Sequence, residues 1–256
     1  MRVLFALLLA VVFALPRAGF AQSGETADAG ADTRVDPAAV HAAFVKLVDR
    51  GEMREQLFGL PADTFWRRSG GLRIALLADG ADRLTPSLER VMAVFSQATG
   101  QAISMVDSGP SPSADQAAAG LAPAADLVIA IGPRLALAEI AFAEKFDLGM
   151  LARFELGTLP FMFSFAEGDG RRGMVLLADD EPPLAREASL ILATVWALGG
   201  VTLGPELTGL ISNDTETGPG LTPLGEAVFA LFFNEQLAVG VPIEDTVLRA
   251  RSVLAE

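Results

Sequence analysis

Leu127-Val128-Ile129-Ala130-Ile131, closed by Gly132-Pro133, is a short apolar run bounded by helix breakers, and it reads as a buried strand. The same signature recurs upstream in Leu72-Arg73-Ile74-Ala75-Leu76-Leu77, which follows Gly70-Gly71, and in Ile103 to Val106. Between those two, Thr85-Pro86 opens a predicted helix carrying Leu88, Val91, Met92 and Phe95 at helical spacing towards Gly100. Strands interleaved with helices imply an α+β or α/β fold, a mixed sheet packed against helices. Ser108 to Ala125, rich in Gly, Pro and Ser, reads as a loop with a helical patch around Ala114 to Ala119.

Downstream, Leu135 to Phe146 is predicted as helix. Phe161, Phe163 and Phe165 then alternate with Met162 and Ser164, as in a strand with one apolar face. Gly168-Asp169-Gly170 supplies a turn and Gly173 to Ala178 the returning strand, so this segment is a predicted hairpin. Pro182-Pro183 starts a long helix through Leu198 with little polar surface, the mark of a helix in the middle of a domain. Gly199-Gly200 ends it. A long ordered loop to Thr222-Pro223 and two closing helices, Leu224 to Leu237 and Pro242 to Leu254, complete a helical C-terminus. At the other end Asp36-Pro37 supplies an N-cap and N1 proline for a helix bearing Val40, Phe44, Leu47 and Val48. His41 falls one position off that stripe and reads as a surface residue.

The first residues carry a different signal. Met1-Arg2, the apolar run Val3 to Leu15, Pro16 and the small-residue tail ending at Ala21 read as a secretory signal peptide over 1–21, which places the protein in the periplasm or outside the cell. Residues 22–36 are small, polar and acidic and are predicted as a flexible leader. The rest, 37–256, suits a single globular domain. No later segment offers about 20 uninterrupted apolar residues, so no stable membrane insertion is expected after signal cleavage. The chain has no cysteine, which excludes disulfides and a lipidated cysteine anchor. Loss of Arg2 and Arg17 with the signal takes the formal charge from -13 to -15, a surface that repels nucleic acid and anionic membranes.

The helix ending at Leu198 also carries a resemblance. Leu192-Ala193-Thr194-Val195-Trp196-Ala197-Leu198-Gly199-Gly200-Val201-Thr202 is similar to the metzincin pattern H-E-x-x-H-x-x-G-x-x-H with only Gly199 retained. The resemblance implies a zincin-like core in which Leu192, Trp196 and Thr202 stand where three metal ligands would be and Ala193 where the general base would be. None of these side chains binds zinc, and His41 is the only histidine in the chain. No metal, and with no Gly-rich phosphate loop no other cofactor, is therefore expected. In metzincin-like folds the sheet-edge strand beside the active helix holds extended peptides. The resemblance thus implies a partner bound by strand addition at Phe161 and Phe163, set against the ordinary expectation of a phenylalanine row packed into the core.

A second resemblance is carried by Ala197-Leu198-Gly199, Leu210-Ile211-Ser212-Asn213-Asp214, Leu221-Thr222-Pro223-Leu224 and Phe232-Phe233-Asn234-Glu235-Gln236-Leu237-Ala238-Val239-Gly240. Together they resemble a secreted proteobacterial family known only as a domain of unknown function, most strongly over 186–245. Trp196 occupies the usual glutamine place of that family, and Glu187 is a displaced member of its acidic pair. Ser212, Asn213 and Asp214 form a turn that either caps backbone groups or contacts a ligand. Asp179-Asp180-Glu181 is a carboxylate run without the spaced oxygens of a calcium loop. The expected function is an exported, catalytically silent envelope domain that binds an unidentified protein or peptide. The alternative is a metal-independent hydrolase using carboxylates such as Glu187 and Asp214.

Overall fold

A computed structural model describes residues 35–48, 62–113, 121–122, 124–165, 172–200, 207, 209–214 and 218–256. The signal segment, nearly all of the leader, the patch 114–119, the turn 168–170 and Thr202 lie outside the described residues. In chain order the elements are α1 (Pro37–Val48), β1 (Leu72–Ala78), α2 (Ala81–Thr99), β2 (Ile103–Gly109), β3 (Leu127–Gly132), α3 (Arg134–Ala143), α4 (Leu148–Glu155), β4 (Phe161–Phe165), β5 (Gly173–Ala178), α5 (Pro183–Leu198), β6 (Ile211–Asp214), β7 (Gly218–Leu221), α6 (Pro223–Phe232) and α7 (Ile243–Val253).

Five strands form one sheet in the order β2-β1-β3-β5-β4. β1 pairs in parallel with β2 and β3, and β3 with β5, whereas β4 runs antiparallel to β5. The mixed α/β sheet expected from sequence is thus the scaffold. Every residue of β3 and β5 is buried, as a parallel strand covered on both faces requires.

Because successive strand residues point to opposite faces, the sheet divides the core in two. Leu72, Ile74 and Leu76, Leu127, Ile129 and Ile131, Val175 and Leu177, and the three phenylalanines of β4 face a thick layer of α1, α2, α5, α6 and α7. Ala75, Leu77, Val128, Ala130, Met162, Met174 and Leu176 face a thin layer made by α3 and α4. α3 turns Leu137, Ala138, Ile140 and Ala141 inward.

Several boundaries differ from the sequence reading, and β2, read to Val106, runs on to Gly109 into the stretch read as loop. α2 begins at Ala81 after Gly80 in the left-handed region, and Pro86 sits inside the helix on its exposed side, where water can solvate the carbonyl its missing N–H leaves unpaired. The helix read through Phe146 ends at Ala143. A separate α4 follows, capped by Asp147 Oδ1 accepting from the amide of Met150 at 2.9 Å. The long loop before Thr222 contains the β6–β7 hairpin, and the helix after it ends at Phe232 rather than near Leu237.

Candidate functional site

α5 follows β5 through the core, and its middle decides what chemistry this part of the fold can support. Ala193 and Trp196 are 0% and 1% exposed, and Leu192 is partly buried against the same cluster. The Trp196 ring lies 4.6 Å from Phe163 and 5.5 Å from Phe161, centroid to centroid. Trp196, which the resemblance sets at a ligand position, is therefore part of an aromatic cluster that closes α5 onto β4. An indole offers an N–H donor and no lone pair for a metal. Among the described residues no three His, Cys, Asp or Glu side chains stand together as metal ligands.

Phe161 and Phe163, read from sequence as binding residues, are 7% and 8% exposed. Their side chains belong to the core, so a binding role for this strand would fall to its main chain.

Gly199, the retained glycine, is explained by packing. It ends α5 in the left-handed region at φ 106°, and a Cβ there would lie 2.7 Å from the Trp66 ring and 3.0 Å from Arg67 Cα. The segment Phe65–Arg68 crosses the helix end at that point. The Arg68 amide donates to Leu198 O at 3.0 Å and Arg68 Nε to Ala197 O at 3.1 Å, which puts a guanidinium on the negative end of the helix dipole. Arg67 Nη1 donates to Phe232 O at 2.7 Å and its guanidinium lies over Phe233. Burial lowers the pKa of both arginines, and for Arg68 the nearby Asp126 carboxylate, 3.7 Å away, works against that loss.

Asp126 also accepts from the backbone amide, Nε and Nη2 of Arg73. Burial disfavours its charge, but the Arg73 hydrogen bonds and the two guanidinium charges outweigh that and hold the carboxyl below its usual range.

The carboxylate run Asp179-Asp180-Glu181 is engaged by an arginine that the sequence did not single out. Arg134 donates from Nε and Nη2 to Asp180 at 2.9 Å, from Nη2 to Glu181 at 2.9 Å, and from Nη1 to Phe154 O and Leu159 O. It also lies over the Phe154 ring. One guanidinium thus ties the start of α3 to the end of α4 and to the turn after β5. The hydrogen bonds from Arg134 outweigh a small burial penalty and lower the Asp180 pKa.

Of the remaining sequence candidates, Ser212, Asn213 and Asp214 lie on strand β6, paired with β7, rather than in a turn. Ser212 is partly buried; the side chains of Asn213 and Asp214 are outside the described set. The turn that matters here is the next one. Thr222 Oγ1 accepts from the amide of Gly225, and a Cβ on Gly225 would lie 2.1 Å from Leu210 O, so only glycine lets α6 close on the hairpin. Glu187 accepts from Ser87 Oγ at 2.7 Å and lies 3.9 Å from Arg90, fastening α5 to α2. His41, read as a surface residue, is half-buried with Nε2 3.0 Å from Val247 O, linking α1 to α7. Missed altogether was a shallow depression of about 320 Å³ at the carboxyl ends of β1 and β2, lined by Asp79, Gly80, Asp82 and Ser108. No local sequence signal marks it, because it depends on β1 and β2 lying side by side in parallel, which the tertiary structure sets.

Comparison with family models, with curated proteins and with solved structures finds no match to this chain.

Proposed function

We propose that this chain is an exported envelope domain that binds a protein or peptide and is catalytically silent, built on a scaffold of degenerate zincin type. The observation that carries the proposal is the burial of Ala193 and of Trp196, whose ring packs on Phe161 and Phe163 of β4, which makes the centre of α5 a packing element. Of the two carboxylates named for hydrolysis, Glu187 is engaged by Ser87 and Arg90, which supports the same reading, and the side chain of Asp214 lies outside the described residues. No helix among the described residues is long and apolar enough to cross a membrane. Export rests on the character of residues 1–21.

The test is affinity capture of the protein from its own envelope after cross-linking in vivo, with a metal assay on the same purified sample. A reproducible stoichiometric partner and no bound metal is the expected outcome. Stoichiometric metal, or a co-purifying small molecule without a protein partner, would sink the proposal and point to an enzyme.

A further inference from the structure

We infer that the outer face of α3 and α4 docks a basic amphipathic helix of a protein partner; this rests on the reading of the chain as a binding domain and names its surface and the partner's chemistry. Leu135, Phe142, Leu148 and Leu156 are 71%, 71%, 68% and 78% exposed, and all four belong to this helix pair or the residue that follows it. Leu135 and Phe142 are seven apart, two turns along one helix face, while Leu137, Ala138, Ile140 and Ala141 on the opposite face meet the sheet.

α4 runs back along α3. Arg134, the first residue of α3, reaches Phe154 O in the last turn of α4, and the short link Glu144–Asp147 joins the other ends. Leu156 therefore stands at the Leu135 end of the pair and Leu148 at the Phe142 end. Leu135 and Phe142, two helical turns or about 10 Å apart, make an apolar strip along α3, with Leu148 and Leu156 exposed at the ends of the helix beside it.

Charge selects the occupant. Glu139 lies between Leu135 and Phe142, and Glu144, Asp147 and Glu155 are exposed around the strip, against Lys145 and Arg153. Arg134, at the start of α3, is taken by Asp180 and Glu181. An apolar strip with an acidic rim, on a chain of formal charge -13, complements a helix with apolar side chains on one face and lysine or arginine beside them. A second copy would bring the same acidic rim against itself, and an anionic bilayer would be repelled.

The probe is a fluorescent leucine/lysine amphipathic peptide of about five helical turns, compared with a scrambled peptide of the same composition. By anisotropy the full-length protein binds the amphipathic peptide in preference to the scrambled one and more weakly as salt rises. The double variant Leu135→Ser/Phe142→Ser loses at least about tenfold in affinity with an unchanged circular dichroism spectrum. Equal binding by wild type and variant overturns the proposal. So does self-association of the wild type that the variant lacks, or flotation with zwitterionic or anionic vesicles that the variant lacks. A photo-cross-linking residue at Phe142 separates this proposal from the one beneath it. An envelope partner captured by the protein but never cross-linked through that position overturns the surface and leaves the binding-domain reading standing; capture of nothing overturns both.

Discussion

The two faces of the central sheet are built from the same strands and are covered unequally. On one side five helices bury Trp196, Phe44, Phe65, Phe95, Phe229 and Phe232, all essentially inaccessible. On the other side two short helices bury mainly Leu, Ala, Ile and Met, and four large apolar side chains remain outside. The thick face places nearly all of its apolar side chains where they stabilise the fold, with Leu248 of α7, 66% exposed, as the exception. The thin face keeps some of its own in solvent, where they contribute little to stability and remain available for contact with another molecule. On the docking proposal the difference between the faces is a division between packing and recognition, and it can be broken by substitution.

The largest effect belongs to the thick face. Trp196→Ala removes the indole packed on Phe161 and Phe163 and costs about 3–5 kcal/mol, read from the urea midpoint. A loss under about 1 kcal/mol would mean that α5 is not held to β4 by this cluster. Next is the clamp under the thin face. Arg134→Met keeps a long apolar stem but leaves Asp180, Glu181 and the carbonyls of Phe154 and Leu159 without their donor, at a cost of about 1–3 kcal/mol. The variant should also raise amide exchange in α4 more than in α5, and uniform exchange would erase the distinction between the layers.

A smaller effect depends on acid. Asp126 has a depressed pKa in the folded chain, so its contribution is fully present above the unfolded carboxylate value of about 4 and is lost as pH falls through the lower folded value. Wild type should therefore lose more stability than Asp126→Asn on titration from pH 5 downwards; parallel curves would show that the Arg73 and Arg68 contacts do not favour the ionised form. The smallest effect is at the exposed strip. Leu135→Ser and Phe142→Ser should each stay within about 0.5 kcal/mol of wild type. A larger loss would show that these side chains serve the fold and would remove the contrast between the two faces.

Much of the scaffold was legible because strong local signals agreed with it. The run Leu127 to Ile131 ends at a glycine and proline, and Asp36-Pro37 and Pro182-Pro183 precede α1 and α5 within a residue. The alternating phenylalanines of β4 and the return through β5 also formed the expected hairpin. α4 was missed although Asp147 offers a cap, because eight residues after a left-handed Lys145 make too short a periodic segment to separate from α3. β6 and β7 were missed because Ile-Ser-Asn-Asp and Gly-Pro-Gly-Leu have little strand propensity. They pair with each other here, and β7 packs against α2 and α6, which is a tertiary contribution.

The candidate site was less legible than the fold. A row of three phenylalanines on alternate residues has the same sequence whether it faces a partner or a tryptophan, and only Trp196 across the interface decides between them. α3 is harder still, since Arg134-Leu135-Ala136-Leu137-Ala138-Glu139-Ile140-Ala141-Phe142-Ala143 is apolar on most sides and does not reveal which stripe is inside.

The sequence by itself determined that strands and helices would alternate around a sheet, and that Leu192, Ala193 and Trp196 could not supply zinc ligands. Those conclusions depend on short-range periodicity, breaker residues and side-chain chemistry, which are local. Only the tertiary structure decided that the strands would stand in the order β2-β1-β3-β5-β4, that Arg134 would gather Asp180, Glu181 and two carbonyls, and that Leu135 and Phe142 would face out while Leu137 and Ile140 face in. Each of those depends on which surface of one element meets another far along the chain, and that is set by the packing of the whole domain.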